Sequence, residues 1–230
     1  MSQHESAGKQ AAKCPFGHSS TPAVGLADTL KEQTKAAHAM AERHPIQSRM
    51  VKGESSREQY TAYLGQLLPV WKAIDAGLWV KAASDPRVAS MVKPYHANAG
   101  RVAADLAFLG AKPGDVLPAT QGFVDMVKSA SNGVGIVGAW YVLEGSTNGG
   151  RYIAKALSRG LGITGPEGLT SFDPHGEQQR ERWQAWRASL DAQTWTEAER
   201  AEIVNAATGT FEAIYELMEG MDAAAASSAT

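Results

Sequence analysis

Between Ser131 and Arg159 runs an apolar segment whose middle reads Leu143 Glu144 Gly145 Ser146 Thr147 Asn148 Gly149 Gly150 Arg151. On either side, Ile136, Val137, Trp140, Val142 and Leu143, then Tyr152, Ile153 and Leu157, recur at three- and four-residue spacings, which predicts a helix. Asn132 is placed to cap its start. Gly145, Gly149 and Gly150 each cost roughly 1 kcal/mol relative to alanine in a helix interior. Gly145 and Gly149 are four apart, so they share one face and leave its backbone bare to a closely approaching flat partner. That partner is either a second helix crossing at small residues or a planar ligand. The polar residues between them kink the helix or hydrogen-bond water. A phosphate site is excluded. Gly133, Gly135 and Gly138 have dinucleotide-fingerprint spacing, but no strand precedes them and Ser158 stands near the place of the required acid. Arg151 and Tyr152, not a Walker lysine, follow Gly149 and Gly150.

The chain has 230 residues, enough for one domain that buries about 70% of its unfolded surface. Its 22 basic and 24 acidic residues give a formal charge of -2, so no field points to nucleic acid or to an acidic membrane. A single cysteine, Cys14, rules out an internal disulfide and suits a reducing cytoplasm. No signal peptide is apparent, and no apolar run approaches the about 18 residues of a membrane span.

Residues 1 to 24 are polar and small and read as a flexible N-terminal arm. The arm carries Cys14, Pro15 and His18; two ligands are too few for a structural zinc site, while the Cys-Pro pair resembles a short heme-responsive motif. Asp28 to Arg43 predicts a helix capped by Asp28 or Thr29 and ended by His44 and Pro45. His38 lies on its face with Leu30, Lys31, Thr34, Lys35, Ala41 and Glu42. Small neighbours leave room for a planar group, and a neutral imidazole can ligate a metal. Arg57 to Val80 predicts a long apolar-striped helix kinked at Pro69, from which Tyr60 and Tyr63 can reach a pocket. Shorter helices follow after Pro86, from Asn98 to Leu109 and from Val116 to Ser129, with His96 read as a surface residue. After a loop from Ser158 to Pro174, helices are expected from Glu177 to Leu190 and on to about Met221, then a disordered tail over 223–230. No alternating strand pattern appears. The fold class is all-α, a single helical domain over 25–222.

Hydrolytic chemistry has no support, because no nucleophile stands beside a base and no carboxylate pair has a suggestive spacing. One histidine on a small-faced helix, one helix opened by glycines, and scattered cations suit a flat, anionic, metal-containing ligand held between two helices. Leu30 to His38, with Ala41 and Glu42 beyond, resembles the proximal helix of the heme oxygenases. Tyr141 to Arg151 resembles the distal helix of their bacterial branch. The likeness extends from about Leu26 to Met221.

That resemblance implies an all-α bundle with heme sandwiched between a proximal and a kinked distal helix, and an oxygen-dependent cleavage of heme to biliverdin, carbon monoxide and ferrous iron. Heme would be both substrate and cofactor. His38 would be the axial iron ligand, with Glu42 supporting its hydrogen bonding. Gly145 and Gly149 would line the distal face, and water near Gly145 and Ser146 would supply the proton. Lys31 and Arg187 would meet the propionates, with Tyr141 and Phe211 lining the pocket. Molecular oxygen and an external reductase or ferredoxin are the implied partners, and a bilin-accepting photoreceptor is a downstream candidate. Three positions depart from the animal enzymes: Ser146 replaces an aspartate, as in bacterial relatives, Trp183 a lysine and Trp140 a tyrosine. These changes bear on how heme is seated and leave the product isomer open. The alternatives are a non-cleaving heme or bilin carrier or a heme sensor on the same fold, and a helical interaction module that binds no heme.

Overall fold

A computed structural model describes residues 25–228. Cys14, Pro15, His18 and the rest of the expected arm lie outside them. Ten α-helices follow one another: α1 Leu26–Gln33, α2 Lys35–Glu42, α3 Pro45–Lys52, α4 Arg57–Ser84, α5 Pro86–Met91, α6 Ala99–Phe108, α7 Pro118–Ala130, α8 Gly135–Leu161, α9 Gln179–Asp191 and α10 Glu197–Ser228. Short 3₁₀ turns occupy Pro94–His96 and Gly176–Gln178, and no strand occurs among the described residues.

Local chemistry sets most of these boundaries. Ser56 and Gln59 form a reciprocal capping box at the start of α4. Asp85 caps α5 by accepting from the Arg87 N–H at 3.0 Å, and Thr196 with Glu199 does the same for α10. His44 caps α3, its Nδ1 accepting from the Ile46 N–H at 3.2 Å. The helix α4 runs on through Pro69 to Ser84.

Several expectations change. The helix expected from Asp28 to Arg43 is two eight-residue pieces that begin at Leu26 and divide at Thr34. There the buried Thr34 hydroxyl donates to the Leu30 carbonyl at 2.8 Å, a side-chain bond that competes with the helix ladder. Asn132 does not cap α8: its first residue, Gly135, donates its N–H to Glu202 of α10 at 2.8 Å. The last helix continues past Met221 to Ser228. His96 is not a surface residue but is 4% exposed, packed edge-on against Trp140.

The core joins α4, α7, α8 and α10 through Tyr60, Leu64, Ile74, Phe123, Ile136, Trp140, Leu157 and Leu217, all nearly or fully sealed from solvent. The longest helix, α10, packs along α8. Gly138 makes their closest approach possible, because a Cβ there would collide with the Ile203 carbonyl. No helix among the described residues is long and apolar enough to cross a membrane.

Candidate functional site

A cavity of about 470 Å³ is bordered by α1 and α2 (Lys31, Thr34, His38, Ala41, Glu42) and by α8 from Tyr141 to Gly150, Glu144 excepted. Tyr63, Leu67 and Trp71 of α4, Trp183 and Arg187 of α9, and Phe211 and Ile214 of α10 also line it, with Gln47, Ile153, Ser171 and Phe172. The nine residues given site roles, Lys31, His38, Glu42, Tyr141, Gly145, Ser146, Gly149, Arg187 and Phe211, border this one space, as does Tyr63, whereas Tyr60, also expected to reach a pocket, is fully buried and donates to the Gly168 carbonyl at 2.9 Å. Its volume falls within the about 300–1,000 Å³ usual for small-molecule sites.

On the α2 side, the His38 imidazole is 52% exposed, and its Nε2 lies 3.2 Å from Glu42 Oε1, one helical turn on. The carboxylate of Glu42 is thus beside the ring, and the ring itself borders the cavity. Phe211 tilts against the ring with centroids 5.0 Å apart.

The α8 side shows why the glycines and polar residues alternate. Ser146, Thr147 and Asn148 each bond back to the carbonyl three residues before: Ser146 Oγ to Leu143 at 2.7 Å, Thr147 Oγ1 to Glu144 at 2.6 Å, and Asn148 Nδ2 to Gly145 at 2.9 Å. Such back-bonds draw carbonyls away from the helix ladder and bend helices. The glycines divide the two partners weighed for them. A Cβ on Gly149 would meet nothing within 4 Å, so its face is open to the cavity, whereas one on Gly150 would strike the Phe172 carbonyl of the following loop. Gly145 lies against the Trp183 ring, which a Cβ would meet at 3.2 Å.

Positive charge comes from Lys31, which is exposed, and Arg187, which donates to Asp28 at 2.6 Å. Much of the rest of the wall is aromatic or aliphatic. Burial pushes the Tyr63 phenol up to about 12 and raises that of Tyr141, so both remain neutral donors.

Behind α8 lies a polar line that the sequence did not reveal. Glu144 is 2% exposed and sits 2.6 Å from Nε2 of the buried His175. Arg182 donates to His175 Nδ1 at 3.0 Å, so Nδ1 accepts and the ring proton sits on Nε2, pointing at the carboxylate. Thr147 joins the group by accepting from Gln179 Nε2 at 2.8 Å. Glu144 within an apolar helix was the one available signal, but its partner stands 31 positions away in a loop.

The family model for heme oxygenase matches residues 24–220. No curated protein matches the chain. Among solved structures, heme oxygenase-2 from Synechocystis, in complex with heme and NO, is 21% identical with a TM-score of 0.78, covering 85% of this chain and 84% of that one. The heme oxygenase from Leptospira interrogans is 22% identical with a TM-score of 0.78, covering 84% and 98%. A TenA homolog from Pseudomonas syringae has the same fold at 17% identity and a TM-score of 0.62, covering 85% and 91%.

Proposed function

The chain belongs to the heme oxygenase family, and from that premise we propose that it cleaves heme, with oxygen and external electrons, to biliverdin, carbon monoxide and ferrous iron. The observation that carries the reading is that the part-exposed His38 imidazole shares a cavity with the side-chain-free surface of Gly149. The donor set fits heme: one imidazole for iron, two cations for a pair of carboxylates, and an aromatic and aliphatic wall for a flat macrocycle. When bound, heme supplies the iron that activates dioxygen and the porphyrin edge that is oxidised.

The chain's own part is positioning. Glu42, 3.2 Å from Nε2, places a carboxylate beside the His38 ring, and Phe211 restricts its tilt. Lys31 and Arg187 bind acidic groups, Arg187 by sharing its guanidinium with, or turning it from, Asp28. Leu67, Trp71 and Phe211 exclude bulk water from one side of the cavity. The Ser146 hydroxyl proton is committed to the Leu143 carbonyl, so its lone pairs are left to accept from a cavity water and to orient that water as the proton donor. A reductase or ferredoxin supplies the electrons.

Purified protein given hemin, oxygen and an electron donor tests the reading. The expected result is loss of the Soret band with formation of bilin and carbon monoxide. A Soret band that persists with no bilin would replace the enzyme by a heme carrier on the same fold. In His38→Ala, the spectrum of the ferric complex should shift and turnover should nearly stop until imidazole is added; an unchanged spectrum and rate would remove His38 as the ligand.

A further inference from the structure

Tyr63 is 6% exposed and borders the cavity together with Leu67 and Trp71, one and two helical turns on along α4. Burial alone acts on its phenol, with no hydrogen bond and no neighbouring charge. Buried phenols ordinarily find an acceptor, as Tyr60 does at the Gly168 carbonyl, 2.9 Å away. The other polar side chains on this side of the cavity are accounted for. Thr34, Ser146, Thr147 and Asn148 bond back to helix carbonyls. Ser171 Oγ is sealed, and Gln47 is part-exposed to solvent. The Tyr63 hydroxyl is therefore a buried donor left to whatever the cavity holds.

Its place in the cavity limits what that partner can be. Arg187 pairs with Asp28, one turn before Lys31, and Tyr141 is close enough to feel both charges of that pair. The cations therefore gather at the Tyr141 end of α8. Tyr63 packs on Phe172 with ring centroids 6.4 Å apart, and the Phe172 backbone lies against Gly150. Gly150 stands about 13 Å beyond Tyr141 along α8, at about 1.5 Å per residue. A ligand whose carboxylates meet Lys31 and Arg187 turns its opposite edge toward Tyr63. In heme that edge carries only hydrogen, methyl and vinyl groups, so the phenol finds no acceptor there. Ring opening changes the edge, because each of the two carbons that flanked the lost bridge gains a carbonyl oxygen.

Resting on the heme-cleavage reading, we propose that Tyr63 donates a hydrogen bond to a lactam carbonyl of the opened tetrapyrrole, so that the cavity holds its product by a contact the substrate cannot make. The contact favours the isomer opened opposite its carboxylates, since only that cut sets a carbonyl at the Tyr63 end while Lys31 and Arg187 keep the acidic groups. It also slows release of the product without involving the iron ligand.

Binding of biliverdin and of iron-free protoporphyrin to the full chain tests the contact. Both ligands carry two carboxylates and lack iron, and only biliverdin has the carbonyl oxygens. Tyr63→Phe should weaken the biliverdin opened opposite its carboxylates by about 3–10-fold relative to protoporphyrin, the effect of one neutral hydrogen bond. In the parent complex the lactam carbonyl stretch should lie below its value in an aprotic solvent, and it should rise in Tyr63→Phe. The isomer opened between its carboxylates should bind parent and variant alike, and a matching loss there overturns the preference. An equal loss for biliverdin and protoporphyrin, no loss for either, or a carbonyl stretch that ignores the substitution overturns the contact. The stretch in the parent decides alone should the variant fail to fold. Hemin that binds but is never cleaved would end the enzyme reading while these biliverdin measurements still stood, so the two failures are read separately.

Discussion

Gly149 and Gly150 are neighbours in the chain with opposite surroundings, and that contrast separates ligand room from packing room. Gly149→Ala should stabilise the apoprotein by about 0.5–1 kcal/mol, since alanine restores helix propensity and meets nothing. Gly150→Ala should destabilise it by about 1–3 kcal/mol, because the methyl group forces the Phe172 backbone aside. Urea unfolding midpoints distinguish them. Gly149→Leu should fold like the parent yet bind hemin more weakly. Both glycines were visible in the sequence, but nothing there said which one faced open space and which a carbonyl. That difference depends on a loop about 20 residues later, whose path no periodicity encodes.

At the level of elements, the two sides of the cavity differ in firmness. Helix α2 has eight residues and buries only Ala41. A helix of that length is marginal without tertiary support. Helix α8 is buried over most of its length and held by α10. Backbone amides of α2 should therefore exchange with deuterium quickly in the apoprotein and slow when hemin binds, while those of α8 stay protected in both states. Equal protection of α2 with and without hemin would contradict a site completed by its ligand. The helices themselves were largely legible, because Tyr60 to Leu78 and Ile203 to Met218 repeat apolar residues at helical spacing. The division at Thr34 was not, since a threonine bonding back to Leu30 reads in sequence like any other helical residue. Nor was the start of α8, where the acceptor for its first amide comes from another helix.

For the molecule as a whole, the all-α architecture agrees with the sequence reading, and one cavity is bordered by both His38 and the Gly145 to Gly149 stretch. The buried polar groups behind that cavity were missed because their partners are far apart in the chain. His96 has a consequence for global stability. Its pKa is pushed from 6.5 down to about 3, first by burial and then by nearby positive charge, that of Arg182 included. Below pH 6.5 the unfolded chain takes up a proton that the folded chain refuses. The stabilisation is complete above that value and is lost as the pH falls toward 3, at up to about 1.4 kcal/mol per pH unit. His96→Asn, whose amide oxygen can still accept from the Lys93 N–H as Nδ1 does, should flatten the acid limb of a stability-against-pH curve. A limb of unchanged slope would show that other groups set it.

The reach of α10 also bears on how the protein comes into being. Phe211 and Ile214 wall the cavity, Glu202 holds the first amide of α8, and Glu219 meets the buried His44 imidazole at 2.9 Å. A nascent chain therefore carries both the histidine and the glycines well before it can use them. Its cavity closes only once α10 has left the ribosome, so an unfinished polypeptide holds the two sides without the wall that joins them.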